Sequence, residues 1–278
     1  MPELPEVEYA ARLARETAAG KRVVALRTLH PSQRRALPDA VAASVTGEVV
    51  RDVLRRGKHQ LMQLASGHTL HVHFRMTGDW RVLAPPDALP AYARVVFELD
   101  DGMRLVLDDS RALSSVTLHE PGIDPLPALG PEATGSEFSS DWLARALATR
   151  RTPIKVALLD QRVVAGVGNI YASEALWYAR LDPRCVANRL GAMQLAAVVS
   201  GVRRALGKAL RHPERYYGAG SVSDAVRFNV YDREGRRCRR CGAAIARLVQ
   251  AGRSTYWCGG CQAAEKTRNT RGPASSET

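Results

Sequence analysis

The residues best placed to do chemistry stand at the two ends of the chain. Cys238 and Cys241 are two residues apart, as are Cys258 and Cys261, with sixteen residues between the pairs. Two such knuckles can offer four thiolates to one tetrahedral zinc ion, Zn2+, and with every position filled by protein the metal would be structural. Two disulfides are the competing reading, but a chain without an export signal would keep its thiols reduced, which favours zinc. Cys185 stands outside the pattern and reads as a packing residue. At the other end Met1 precedes the small Pro2, so the initiator methionine is expected to be removed, leaving proline as a free secondary amine. An α-amino group titrates near 8, about two units below lysine, so part of it is neutral and nucleophilic at physiological pH. Its attack on a sugar C1′ would give an iminium cation, an electron sink for elimination. Glu3 could supply the proton that opens the sugar ring, a role that burial favours. Met-Pro-Glu by itself is also an ordinary helix start.

These groups need elements to carry them. Val7, Ala10, Ala11, Ala14 and Ala18 recur at helical spacing, with Pro5 at the start and Gly20 as a stop, so a helix is expected over residues 3–19. From 22 to about 119 the chain turns to short β-prone runs, among them 23–26, 70–74, 95–99 and 104–107, separated by turn residues. An antiparallel sandwich is the simplest architecture for them. Residues 121–135 hold four prolines and three glycines and read as an exposed linker. Helices are expected beyond it, over 142–148, from 153 to 159, over 169–179 and over 192–210. The stretches 245–249 and 254–257 read as a hairpin between the cysteine knuckles, with Arg253 at its tip. The fold class is thus α+β and multidomain. An N-terminal unit (1–120) and a linker (121–135) precede a helical unit (136–226), a zinc ribbon (227–262) and a tail (263–278).

The formal charge is +12, and residues 227–278 carry eleven Lys or Arg against four Asp or Glu. That imbalance suits a polyanion, although a solubilising tail would look the same. Arg236, Arg237, Arg239 and Arg240 crowd the first knuckle and make a basic surface suited to phosphates. No run approaches the roughly 20 apolar residues of a membrane-spanning helix, and no signal-like N-terminus is present, so a cytoplasmic protein with no membrane partner is expected.

The opening Pro2-Glu3-Leu4-Pro5-Glu6-Val7-Glu8 resembles the N-terminal signature of the formamidopyrimidine-DNA glycosylase and endonuclease VIII family. The resemblance recurs in family order at Arg56-Gly57-Lys58, at Met76-Thr77-Gly78, from Gly166 to Glu174, at Arg253 to Cys258 and in the four-cysteine ribbon. It implies a bifunctional DNA glycosylase and abasic-site lyase of base-excision repair, clamping damaged double-stranded DNA as a monomer. Pro2 matches the nucleophile, Glu3 the acid at the sugar, Glu6 a supporting carboxylate and Lys58 a catalytic lysine. Asn169 matches a phosphate-binding asparagine of the helix-two-turns-helix element. Lys155 resembles another phosphate contact, and Arg253 the ribbon arginine beside the lesion. Met76 matches the first void-filling residue and Arg111 the contact to the orphaned base, with Leu113 as a further wedge. The glycines before Asn169 would let a DNA backbone approach, and the helix after them would offer its N–H groups to an anion.

The chain departs from the family's purine-specific branch at Ser110 and at Ala112, Leu113 and Ser114, where proline and then arginine, phenylalanine and glycine are usual. The connection between Gly220 and Phe228 is also short, resembling the endonuclease VIII branch. Both departures lead to the expectation that ring-opened purines, oxidised pyrimidines and abasic sites are handled better than 8-oxoguanine. The rival readings are a non-catalytic DNA clamp, which would need none of Pro2, Glu3, Glu6 and Lys58, and a zinc-ribbon interaction module, which would leave the N-terminus unexplained.

Overall fold

The structure is a computed structural model that describes residues 1–211 and 228–262. Helix α1 (Leu4–Ala18) starts with Pro5 in its first turn, and its small-residue face, Val7, Ala10, Ala11, Ala14 and Ala18, is buried. Small side chains let this helix lie close against strands of both sheets of the N-terminal unit. One sheet has the order β1 (Val23–Thr28), β6 (Ala93–Leu99), β7 (Arg104–Asp108), β5 (Asp79–Leu83). The other runs β2 (Val50–Arg56), β3 (His59–Leu64), β4 (Thr69–His73), β8 (Ser115–His119). Every strand pairing is antiparallel. Alternating side chains such as Met62, Leu64, Leu70 and Val72 from one sheet meet Phe97, Leu105 and Leu107 from the other, which gives the sandwich its shared core.

Two short helices, α2 (Pro31–Ala36) and α3 (Asp39–Ser44), follow β1 and had no counterpart in the sequence expectation. Each is six residues long, too short to show a helical period. The other helices fall where expected: α4 (Ser140–Leu147), α5 (Ile154–Leu159), α6 (Asn169–Tyr178) and α7 (Ala192–Arg211). They enclose a second core that includes Phe138, Leu158, Tyr171, Leu176 and Val202. Leu4, fully buried, belongs to this second core rather than to the sandwich, so the chain start is anchored in the helical unit. The stretch 121–135 is exposed mainly in its first part. Gly130, Pro131 and Ala133 are buried, because this strip pairs with the Ala165 backbone instead of looping free.

The ribbon hairpin, β9 (Ile245–Gln250) and β10 (Arg253–Cys258), packs on α6. Gln250 and Gln262 donate side-chain hydrogen bonds to the carbonyls of Pro183 and Leu181, at 3.3 and 3.0 Å. The short connection after Gly220 lies outside the described residues, except for Phe228 at its end. Among the described residues no helix is long and apolar enough to cross a membrane.

Candidate active site at the junction of the units

Glu3 is 2% exposed, and its carboxylate caps the N-terminus of α6. One oxygen accepts from the N–H of Ile170 at 2.8 Å, the other from Gly168 at 2.8 Å and Tyr171 at 3.2 Å. The helix N-terminus therefore holds an anion, as a helix dipole and its unpaired N–H groups favour, but that anion is the chain's own carboxylate rather than a phosphate. The glycines have a corresponding use. A Cβ at Gly168 would lie 2.3 Å from Glu3 Cδ, and one at Gly166 would lie 2.4 Å from Leu4 Cδ1, so both admit the N-terminal segment of the same chain. Helix α6 is capped by Glu3, not by Asn169.

Glu6 stands one turn along α1. It accepts from the Glu3 peptide N–H at 2.9 Å and from the Tyr171 hydroxyl at 2.8 Å. Burial, then the neighbouring Glu3 charge, pushes its carboxyl up to about 7, against the pull of Tyr171. Tyr171 thus touches both N-terminal carboxylates.

Lys58 occupies the two-residue turn between β2 and β3, behind Gly57 at φ +58°. A glycine is at home there, because two-residue hairpin turns need positive φ. A lysine at a hairpin turn is ordinarily solvated, but Lys58 is 5% exposed, and burial lowers its ammonium below the ordinary lysine range while Glu3 and Glu6 pull it up and Arg253 pulls it down. The same groups converge on the start of the chain. Burial lowers the Met1 ammonium, Glu3 and Glu6 raise it, and Lys58 and Arg111 lower it.

A cavity of about 420 Å3 opens at this point. Its walls are Met1 and Glu3, Met76 from the β4–β5 loop, Asn169 and Ile170 from α6, and Tyr231, Arg253, Ser254 and Tyr256 from the ribbon side. Lys155, which resembles a phosphate contact in the sequence, is fully buried in α5 and donates to Asn169 Oδ1. The Asn169 amide donates in turn to the Ser254 carbonyl at 3.0 Å, so a polar chain runs from α5 through α6 to the hairpin. Burial, followed by the Arg253 charge, lowers Lys155 to about 8.

Met76 and Leu113 are 39% and 46% exposed, so neither belongs to the core. Arg111 and Leu113 ride on a turn built around buried Asp109. Its carboxylate takes the N–H groups of Arg111 (3.1 Å), Leu113 (2.7 Å) and Ser114 (2.7 Å), and the Thr77 hydroxyl joins the Met76 loop to the same carboxylate.

Two site residues carried no signal of their own in the sequence. Tyr231 reaches the cavity because Glu174 holds its segment, accepting from the N–H groups of Asn229, Val230 and Tyr231 at 2.8, 2.8 and 3.1 Å. Tyr171 sat inside a recognised motif, yet its hydroxyl contact depends on a helix 165 residues away in sequence.

The four cysteine sulfurs lie within 4.8 Å of one another, with Cys238 to Cys261 at 3.8 Å and Cys241 to Cys258 at 3.4 Å. Sulfurs about 2.3 Å from a tetrahedral zinc stand roughly 3.8 Å apart, so this cluster fits one structural zinc ion. Arg240, counted with the phosphate-facing arginines, stacks on Trp177 at 3.8 Å and donates to its carbonyl.

Three family patterns match in succession: the formamidopyrimidine-DNA glycosylase N-terminal domain over residues 1–116, its H2TH domain over 129–218, and a zinc finger found in FPG and IleRS over 235–264. A formamidopyrimidine-DNA glycosylase of Chloroflexus aggregans is 41% identical, the alignment covering 94% of this chain and 98% of the relative. The chain belongs to the formamidopyrimidine-DNA glycosylase family. A second family relative, from Chloroflexus aurantiacus, is 38% identical over 94% of this chain and 98% of its own length. Among solved structures, the Lactococcus lactis formamidopyrimidine-DNA glycosylase bound non-covalently to abasic-site DNA is similar with a TM-score of 0.84. That match has 28% identity and covers 94% of this chain and all of the other. The same L. lactis protein with oxidised-pyrimidine DNA gives 0.84 at 27% identity, over 95% of this chain and all of the other. Within the formamidopyrimidine-DNA glycosylase fold, the cavity described above lies where N-terminal unit, H2TH helices and zinc finger meet.

Proposed function

We propose that this chain excises oxidised bases from duplex DNA in base-excision repair, then cleaves the abasic site through an amine at Pro2. The observation that carries this reading is that the chain start and Glu3 line one cavity of about 420 Å3, with the charges of Glu6 and Lys58 close enough to act on the chain start. That volume lies within the range of small-molecule sites, about 300–1,000 Å3, and suits a single flipped nucleoside. Loss of Met1 leaves the secondary amine of Pro2 at the cavity. Its nitrogen attacks C1′, the bond to the base breaks, and the base departs with a proton. Glu3, once it has taken up a proton from solvent, passes it to the ring oxygen as the C1′–O4′ bond opens and the iminium forms. Loss of a C2′ proton then expels the 3′ phosphate, and a second elimination expels the 5′ phosphate. Lys58, a buried ammonium between the carboxylates and Arg253, serves the charge near the lesion phosphates.

Base flipping costs a few kcal/mol of stacking, which an apolar wedge offsets by filling the gap. Met76 and Leu113, both exposed and both fixed through Asp109, suit that task, and Arg111 beside them suits the orphaned base. Asn169 and Arg253 serve the backbone, with Lys155 holding Asn169 in place. The structural neighbours are named for complexes with abasic, oxidised-pyrimidine, ring-opened-purine (Fapy-dG) and 8-oxoguanine DNA. Within that range we assign this chain to ring-opened purines, oxidised pyrimidines and abasic sites ahead of 8-oxoguanine, because Leu113 offers no aromatic face for stacking. Parallel turnover of the lesion duplexes tests it, and 8-oxoguanine as best substrate would refute it.

Borohydride trapping on an abasic duplex tests the chemistry. A covalent adduct is expected with the wild type and not with Pro2→Gly or with a protein that retains Met1. Tight zinc-dependent binding without any adduct would instead favour a non-catalytic clamp.

A further inference from the structure

Glu132 stands outside every recognised motif, in the strip between the two units, yet it grips the turn that carries Lys58. One of its oxygens accepts from Arg55 Nη1 at 2.8 Å, and the other accepts from Arg56 Nη1 at 2.9 Å and from the Gly57 peptide N–H. Three consecutive residues before Lys58 are thus tied to one carboxylate. Arg55 is held on its other side by Glu8 of α1 at 2.6 Å, and Arg56 also donates to the Gly130 carbonyl at 2.5 Å. The side chains of Arg55 and Glu132 are only 12% and 23% exposed, unlike the solvated surface pairs that contribute little. Charge-assisted bonds from planar guanidinium groups also fix direction as well as distance.

The far side of the strip is fixed just as firmly. Glu132 bridges Ala165 in parallel, Ala165 N–H donates to the Pro131 carbonyl at 2.9 Å, and Ala133 N–H donates to the Ala165 carbonyl at 3.3 Å. The next residue, Gly166, receives the Leu4 N–H at 3.1 Å, immediately after Glu3. The turn bearing Lys58 and the segment bearing Glu3 therefore dock on adjacent residues of one backbone. Gly57 abuts that backbone so closely that a Cβ on it would lie 3.2 Å from Ala165 Cβ.

We infer that Glu132 is a positioning residue, which holds Lys58 in register with the Pro2–Glu3 segment by clamping the Arg55–Gly57 turn onto the Ala165–Gly166 strip. A buried ion pair that merely stabilised the fold would lower the melting temperature of a variant without changing the chemistry of Lys58. A positioning clamp makes a different demand, because small misplacements of a catalytic group cost one or two orders of magnitude in rate.

The inference rests on the reading of Lys58 given above, and a double-variant cycle separates the two. Glu132→Gln keeps the shape and removes the charge. On an abasic duplex it is expected to lower kcat about ten-fold or more with KM nearly unchanged. The same substitution in a Lys58→Ala background should cost almost nothing further. Equal losses in both backgrounds overturn the clamp, and so does a Glu132→Gln enzyme with full kcat. A Lys58→Ala enzyme with full activity would sink the reading of Lys58 and the clamp with it. A second measurement needs no turnover: competitive acetylation read by mass spectrometry gives the titration of Lys58. Glu132→Gln should move that titration upward as the loosened turn readmits water, and an unchanged titration overturns the inference.

Discussion

The hydroxyl of Tyr171 lies 2.8 Å from Glu6 Oε1, while the peptide N–H of the same residue donates to Glu3 at 3.2 Å, so one helical tyrosine holds both N-terminal carboxylates. The hydroxyl bond favours the ionised form of Glu6 and pulls against burial. Tyr171→Phe should therefore raise the Glu6 titration above about 7. Above that pH the variant should lose about 1–3 kcal/mol of stability, the cost of a buried carboxylate without its donor, and less at pH 5 where Glu6 is neutral. Urea melts at pH 5 and pH 8 check it; an equal loss at both would contradict this role.

Glu6 also makes a stability prediction of its own. Its carboxyl, ordinarily at 4.5, holds its proton to about 7 in the folded protein. Between those values the native state binds more protons than the unfolded chain, so this group's contribution to stability falls as pH rises from 4.5 to about 7. Glu6→Gln keeps its one acceptor oxygen for the Glu3 N–H and turns its amide NH2 to the Tyr171 hydroxyl oxygen, and it should be more stable than the wild type at pH 8 by up to about 3 kcal/mol and indistinguishable at pH 4. The gain should come with a loss of excision activity. Melting curves at the two pH values decide it, and a variant less stable at pH 8 would contradict it.

The buried Lys155–Asn169 pair predicts a non-additive result. Asn169→Ala strands the Lys155 ammonium without its acceptor and should cost about 1–3 kcal/mol. Lys155→Met removes the buried charge and should be close to neutral, as replacements of buried ionic groups by apolar ones often are. In the Lys155→Met background Asn169→Ala should cost much less. Denaturant midpoints of the four proteins test the coupling, which is absent if the single effects simply add.

Zinc should be needed for the site and not for the sandwich. The ribbon supplies Arg253, Ser254 and Tyr256 to the cavity, and Trp177 of α6 donates to the Cys238 sulfur at 3.4 Å. Chelation should release one zinc per chain, change Trp177 fluorescence and abolish binding to abasic DNA. Much of the far-UV signal should remain, because the sandwich and the helical unit have separate cores. Retained DNA affinity in the metal-free protein would disprove the dependence.

What the sequence displayed openly was chemistry written at short range. The cysteine knuckles, the small-residue face of α1 and the β-prone runs such as 70–74 and 95–99 each fit in a window of a few residues to a few tens of residues. The partners of the Glu3 carboxylate stand 165 to 168 residues away, and those of the Lys58 turn about 75 away, so no local pattern could show them. Lys155 shows the same limit: a lysine in a helix's first turn is ordinarily exposed, and only the fold brings Asn169 against it. Proline and glycine content marked 121–135 as a linker, but it could not show that 130–133 would pair with Ala165.

The burial of Leu4 in the helical core has a practical side. With that residue fixed, whatever precedes it starts beside the cavity that Met1 and Glu3 line. An affinity tag fused ahead of Met1 would lie against that cavity and also keep Pro2 acylated. A tagged preparation that proves inert would be reporting the position of its tag.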